Sequence, residues 1–187
     1  LEGFASIPII EQALKELATT IEQAPEFEMK GKEYIASLLN HVVDLGASEL
    51  IYLIIPWLSS MQKELRQTTL DCLEQFEWKG QHIQHKIRYF IARDAWGPIH
   101  KMGRQLVRPT IALLRTKPLF GAQKLAVLLA ETGDERALSP LLFWLFQPAF
   151  IVHHLIQLDA LVPSFTPLFG PFSKSILEAA LFVDRIT

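Results

Sequence analysis

Residues Glu131-Thr-Gly-Asp-Glu-Arg-Ala-Leu-Ser-Pro-Leu-Leu-Phe-Trp-Leu145 read as the end of one helix, a glycine turn, and a new helix with proline in its second turn. Gly133 marks the end, because glycine reaches the left-handed conformation that closes helices without a Cβ clash. Asp134 is placed to cap the helix that follows. The same order stands at Asp44-Leu-Gly-Ala-Ser-Glu-Leu-Ile-Tyr-Leu-Ile-Ile-Pro-Trp-Leu58. In both stretches Trp-Leu falls eleven and twelve positions after the glycine, as Trp57-Leu58 and Trp144-Leu145. Gly46 and Gly133 are 87 positions apart, and the apolar residues before them keep that offset, Leu38 with Leu125 and Val42 with Leu129. A helix–turn–helix unit therefore recurs along the chain.

Outward from these two units, apolar residues keep a helical period. Pro8 is expected to open a first helix with Ile10, Leu14, Leu17 and Ile21 on one face, closed by Pro25. A second follows Lys30-Gly31, buries Ile35, Leu38, Leu39 and Val42, and closes at Gly46. Ser48 is placed to cap a third, which reaches Ser59. A fourth over 62–76 buries Leu65, Thr69, Cys72, Leu73 and Phe76, and Trp78-Lys-Gly80 makes a turn. A fifth over 81–95 turns Ile83, Ile87, Phe90 and Ile91 inward. The sixth, over 98–115, is bent by Pro109, which removes a backbone donor. A seventh starts at Thr116-Lys-Pro118 and ends at Gly133, and an eighth runs from Asp134 to about Gln147-Pro148. A ninth covers 149–161, and a tenth follows Ser173. No stretch alternates at period two and no Asn-Gly hairpin turn occurs, so the expected fold is all-α with about ten helices.

Helical hairpins of about 40 residues with a proline in the first helix resemble HEAT and armadillo-like repeats. Gly133-Asp-Glu-Arg-Ala-Leu-Ser-Pro-Leu-Leu carries the resemblance, with Gly46 through Arg66 following more loosely and Pro56, Pro109 and Pro140 at the bends. The resemblance implies a right-handed α-solenoid of irregular hairpins forming one repeat domain over 1–187. Five helices separate corresponding points, so a two-helix period slips phase within 62–115. Gly133-Asp-Glu-Arg-Ala-Leu is also similar to the HEAT-like repeats of bilin lyases. The chain starts at Leu1 without methionine and reads as a piece of a longer protein. Its Pro/Phe-rich end, 163–187, is expected either to fold over the terminal repeat as a cap or to dock onto a partner, a second copy or the rest of a longer parent chain.

One cysteine, Cys72, cannot form an internal disulfide, and a reducing cytosol is the expected compartment. No run of about 18 apolar residues is uninterrupted, so no membrane span is expected. The net charge of −2 conceals segregation. Residues 1–78 hold 5 Lys+Arg against 13 Asp+Glu, residues 79–124 hold 10 against 1, and residues 125–187 hold 3 against 6. On one continuous helix Lys101, Arg104, Arg108 and Arg115 would fall within about 60° of one another, a basic stripe beside Met102, Leu106 and Leu113. His82, Lys86, Tyr89, Arg93 and Trp96 extend the same logic over the preceding helix and add aromatic rings. Such a surface suits phosphates or an acidic protein; the alternative is a solvated face, or cations that neutralise the acidic first helices of this or a neighbouring chain.

Other chemistry-bearing residues read as structural. His82 and His85 lack accompanying ligands at metal spacing, Cys72 lies on an apolar face, and the carboxylates cluster at helix ends. No P-loop, dinucleotide fingerprint, nucleophile elbow or His-Glu-x-x-His motif occurs, and no cofactor is implied. The leading expectation is a non-catalytic interaction scaffold whose basic surface over 82–115 meets an acidic protein. A nucleic-acid-binding protein, with the DNA-glycosylase chemistry found among some HEAT-like solenoids as one form of it, and a bilin-lyase relative are the alternatives.

Overall fold

A computed structural model describes residues 2–23, 28–115, 119–145 and 166. Among these the chain is all-helical, with nine α-helices and no strand. It divides into two compact units, Leu1–Ala95 and Trp96–Thr187. The expected ninth and tenth helices and the segment 163–187 as a cap lie outside the described residues.

In the first unit, α1 (Glu2–Gln23) packs on α2 (Glu28–Asp44) and α3 (Ile51–Ile54); α4 (Lys63–Gln75) lies against α2, and α5 (Ile83–Ala92) against α4. The helical period places Ile10, Leu14 and Leu17 of α1, Ile35, Leu39 and Val42 of α2, and Leu65, Cys72 and Leu73 of α4 in one core with Ile54, Trp57 and Leu58. Burial holds the Cys72 thiol up to about 11 and removes it from reactive chemistry.

Several boundaries differ from expectation. Pro8 lies inside α1 instead of opening it; a long helix with a continuous apolar face tolerates the lost hydrogen bond. Gly31 likewise falls within α2. Ser48 does not cap: Ala47 occupies that position, without a side-chain hydrogen bond. The third helix is α-helical only over α3, flanked by 3-10 turns at Ser48–Leu50 and Ile55–Ser59. Pro56 explains the second turn, since it offers no N–H to the carbonyl four residues back.

The second unit begins with α6 (Trp96–His100), followed by a 3-10 turn, Gly103–Leu106, and α7 (Val107–Leu114). Then come α8 (Ala122–Glu131), a 3-10 turn at Glu135–Ala137, and α9 (Leu138–Leu145). α7 packs on α8 and on the Glu135–Ala137 turn, and α8 on α9. The expected single helix over 98–115 is therefore interrupted. Gly103, at φ +52°, breaks it, whereas Pro109 sits in the first turn of α7, where its missing donor has no intrahelical acceptor to lose.

The recurrent glycine unit takes the same local form twice. Gly46 and Gly133 each have φ +61°. Their amides donate to the carbonyls of Val43 at 2.8 Å and Ala130 at 3.0 Å. A 3-10 turn and then an α-helix follow each glycine. Asp134 caps as expected, accepting from the Arg136 amide at 3.0 Å.

Candidate functional site

The nine residues of the expected basic surface fall in both units. His82, Lys86, Tyr89 and Arg93 belong to the first, and Trp96, Lys101, Arg104, Arg108 and Arg115 to the second.

In the first unit, His82 and Lys86 are exposed as expected. Tyr89 is not an outward aromatic. It is buried, with Trp78 edge-on at 6.2 Å and Phe90 at 5.8 Å between ring centroids. The turn carrying Trp78 folds over α5, so this helix buries more than one stripe. Arg93 is tied down: its guanidinium lies 5.4 Å from the Tyr89 ring centroid, donates to the Tyr89 hydroxyl at 3.1 Å, and pairs with Glu74 at 3.3 Å.

In the second unit, Trp96, His100 and Arg104 recur every four residues and meet a matching series from α8 and the turn after it. Lys124 stands 4.9 Å over the Trp96 ring, His100 approaches Glu131 at 3.8 Å, and Arg104 contributes to the field that lowers the Asp134 carboxyl. Gly121 sits under the same indole; at φ +76° a Cβ there would collide with Trp96 Cη2 and come within 2.7 Å of Cζ2. Trp96 is thus a packing residue. Asp134 is held down to about 2, chiefly by the hydrogen bonds of the Arg136 side chain, which reach its two oxygens at 2.8 and 2.6 Å.

Arg104 itself stays exposed without an ion pair among the described residues, and three further cations of this unit stand outward with it. Lys101, Arg108 and Arg115 are exposed, and none forms an ion pair among the described residues. The break at Gly103 separates Lys101 from the other two, so the four-residue ridge expected of one helix does not form. Arg108 and Arg115 still share a face, because seven residues make nearly two turns.

Two arginines absent from the expected site proved structurally distinctive. Arg66 is buried and donates to the carbonyls of Ser60 at 2.7 Å and Met61 at 2.9 Å. Arg88, half-buried, donates to Pro56 O at 3.2 Å and to the Ser59 hydroxyl. Burial lowers both guanidinium groups below their usual range. Together they tie down the backbone from Pro56 through Met61. A sequence signal existed, since Arg88 follows Ile87 in an inward register, but a charged side chain reads as outward by default.

His85 stacks between Trp78, at 5.7 Å, and His82, at 5.2 Å. Its Nδ1 is buried without a hydrogen-bond partner among the described residues. Burial, then His82 and Arg88, push its pKa down. Among the described residues no three His, Cys, Asp or Glu side chains are grouped to hold a metal ion. None of the helices described is long and apolar enough to cross a membrane.

No family model, curated protein or solved structure matches this chain.

Proposed function

We propose that this chain is a non-catalytic interaction module, built of HEAT/armadillo-like hairpins, that offers exposed cations to an acidic protein surface. The observation that carries the reading is the contrast within the basic block. Arg93 pairs with Glu74 and Arg88 donates to Pro56 O and the Ser59 hydroxyl within their own unit, while Lys101, Arg108 and Arg115 are exposed without ion pairs among the described residues. Exposed cations of one sign steer an acidic partner and lose that influence as salt screens them.

The nucleic-acid alternative has less support, because stacking platforms need accessible rings. Tyr89 is buried, and Trp96 is half-buried with Lys124 over its ring and Gly121 against its edge. The bilin-lyase alternative rests on the resemblance of the Gly133 stretch alone.

The test is fluorescence anisotropy with labelled poly-L-glutamate and, in parallel, a single-stranded oligonucleotide. The proposal expects salt-sensitive binding to poly-L-glutamate that the triple change Lys101→Glu, Arg108→Glu, Arg115→Glu weakens by about tenfold or more. Binding insensitive to salt and to that change would defeat it. Preferential capture of the oligonucleotide would favour the alternative.

A further inference from the structure

The outer face of α7 is a strip with charged ends and an apolar middle. Arg108 and Arg115 are exposed, and no carboxylate among the described residues pairs with either. Arg115 keeps right-handed helical backbone, at φ −80° and ψ −17°, and its amide donates to the Ile111 carbonyl at 3.2 Å. Helical spacing therefore holds from one arginine to the other. It sets them about 10 Å apart along the axis and within about 20° of each other around it. Ile111 and Ala112, half-buried, lie between them, one to each side of that line. Val107, Thr110, Leu113 and Leu114 are buried on the opposite side, where α8 and the Glu135–Ala137 turn pack.

An occupant of this strip needs two carboxylates about 10 Å apart and apolar side chains between them, all from one side. In an extended strand that span is about three residues, and an odd separation turns the end side chains to opposite faces. In a helix it is about seven residues, and positions i and i+7 share a face with i+3 and i+4. A helix meets both demands at once. Its apolar residues would lie beside Ile111 and over Ala112, whose short side chain leaves room for a close approach.

We infer that the outer face of α7 docks an acidic amphipathic helix of a partner protein. Carboxylates seven residues apart meet Arg108 and Arg115, and the apolar positions between them meet Ile111 and Ala112. Such a partner depends on the proposed role of the two arginines as docking cations, and adds the shape and spacing of what they dock. The charged ends set register, and the apolar middle supplies contact that salt does not screen.

Anisotropy of two fluorescent peptides tests this. Both have one composition and a glutamate pair at i and i+7. The first carries leucines at i+3 and i+4; the second carries them at i+2 and i+5, on the far side of the helix. The first is expected to bind about tenfold tighter or more and to gain helical circular dichroism when bound, since a short helix is marginal alone in water. Ile111→Gln and Ala112→Gln should each shrink that preference to about twofold or less. Circular dichroism matched to wild type verifies each variant, and should Ile111→Gln misfold, Ala112→Gln reads the same preference. Equal affinity for the two peptides, binding of the first without a gain in helix, or a preference that the folded variants leave intact overturns the inference. If poly-L-glutamate still binds through Arg108 and Arg115 in that case, the helical partner alone is removed and the proposed function stands. Failure of poly-L-glutamate and of both peptides to bind removes the two together.

Discussion

Gly46 and Gly133 hold one backbone conformation, φ +61° in each, at an offset of 87 residues. Each stops a helix and starts a 3-10 turn that runs into the next. A Cβ built at either meets nothing within 4 Å, whereas at Gly121 it strikes Trp96.

The three glycines therefore separate two costs. Gly46→Ala and Gly133→Ala carry backbone strain alone, about 1–2 kcal/mol each. Gly121→Ala adds a steric collision and should cost more than either. Chemical denaturation of the three variants measures the order; equal losses at all three would contradict it.

Two further left-handed positions are not glycine. Glu77, at φ +52°, follows α4 as Gly46 follows α2, and its amide donates to the Glu74 carbonyl at 2.9 Å while that of Trp78 reaches Leu73 at 3.0 Å. Glu77→Gly should relieve the strain and raise stability by about 1 kcal/mol. A lower melting temperature for this variant would show that Glu77 is held by more than its turn.

Thr69 and Thr110 are both fully buried. Thr69 donates to the Leu65 carbonyl at 2.7 Å, while the Thr110 hydroxyl has no partner among the described residues. Thr110→Val keeps the shape and removes an unsatisfied group, so a gain of about 1 kcal/mol is expected. Thr69→Val loses a made hydrogen bond and should give no such gain. Paired urea titrations distinguish them.

His85 contributes to the acid sensitivity of the first unit. Its folded pKa is below the ordinary 6.5, through burial and then the charges of His82 and Arg88. The unfolded chain thus binds the proton more readily. The stability due to neutral His85 is full above the ordinary value and is lost as pH falls through the folded one. His85→Phe should flatten this part of the pH–stability curve; an unchanged acid slope between wild type and variant would assign it elsewhere.

The glycine punctuation was legible because Gly46 and Gly133 are the cheapest residues for a left-handed cap. The matching ends at Glu77 and Asp94 were not, since carboxylates do not signal φ +52° and +53°. Apolar periodicity located the buried faces of α1, α2 and α4. It misplaced Tyr89, because the cover over α5 comes from the Trp78 turn, a tertiary contact with no local trace. The basic stripe depended on one unbroken helix, and Gly103 breaks it. Arg93 and Arg104 are exposed as expected, but the pairing of Arg93 with Glu74 was not legible because the two are distant in sequence. Arg66 and Arg88 escaped notice because their acceptors are backbone carbonyls and one hydroxyl.

The central claim divides the basic block into cations held internally and cations offered outward. Poly-L-glutamate affinity of two double variants tests it, since Arg88→Glu with Arg93→Glu and Arg108→Glu with Arg115→Glu change net charge equally. The account predicts that the second pair loses about tenfold in affinity or more at an unchanged melting temperature, and that the first pair melts lower while keeping most of its binding. Equal loss of binding by both pairs, or by neither, would contradict it.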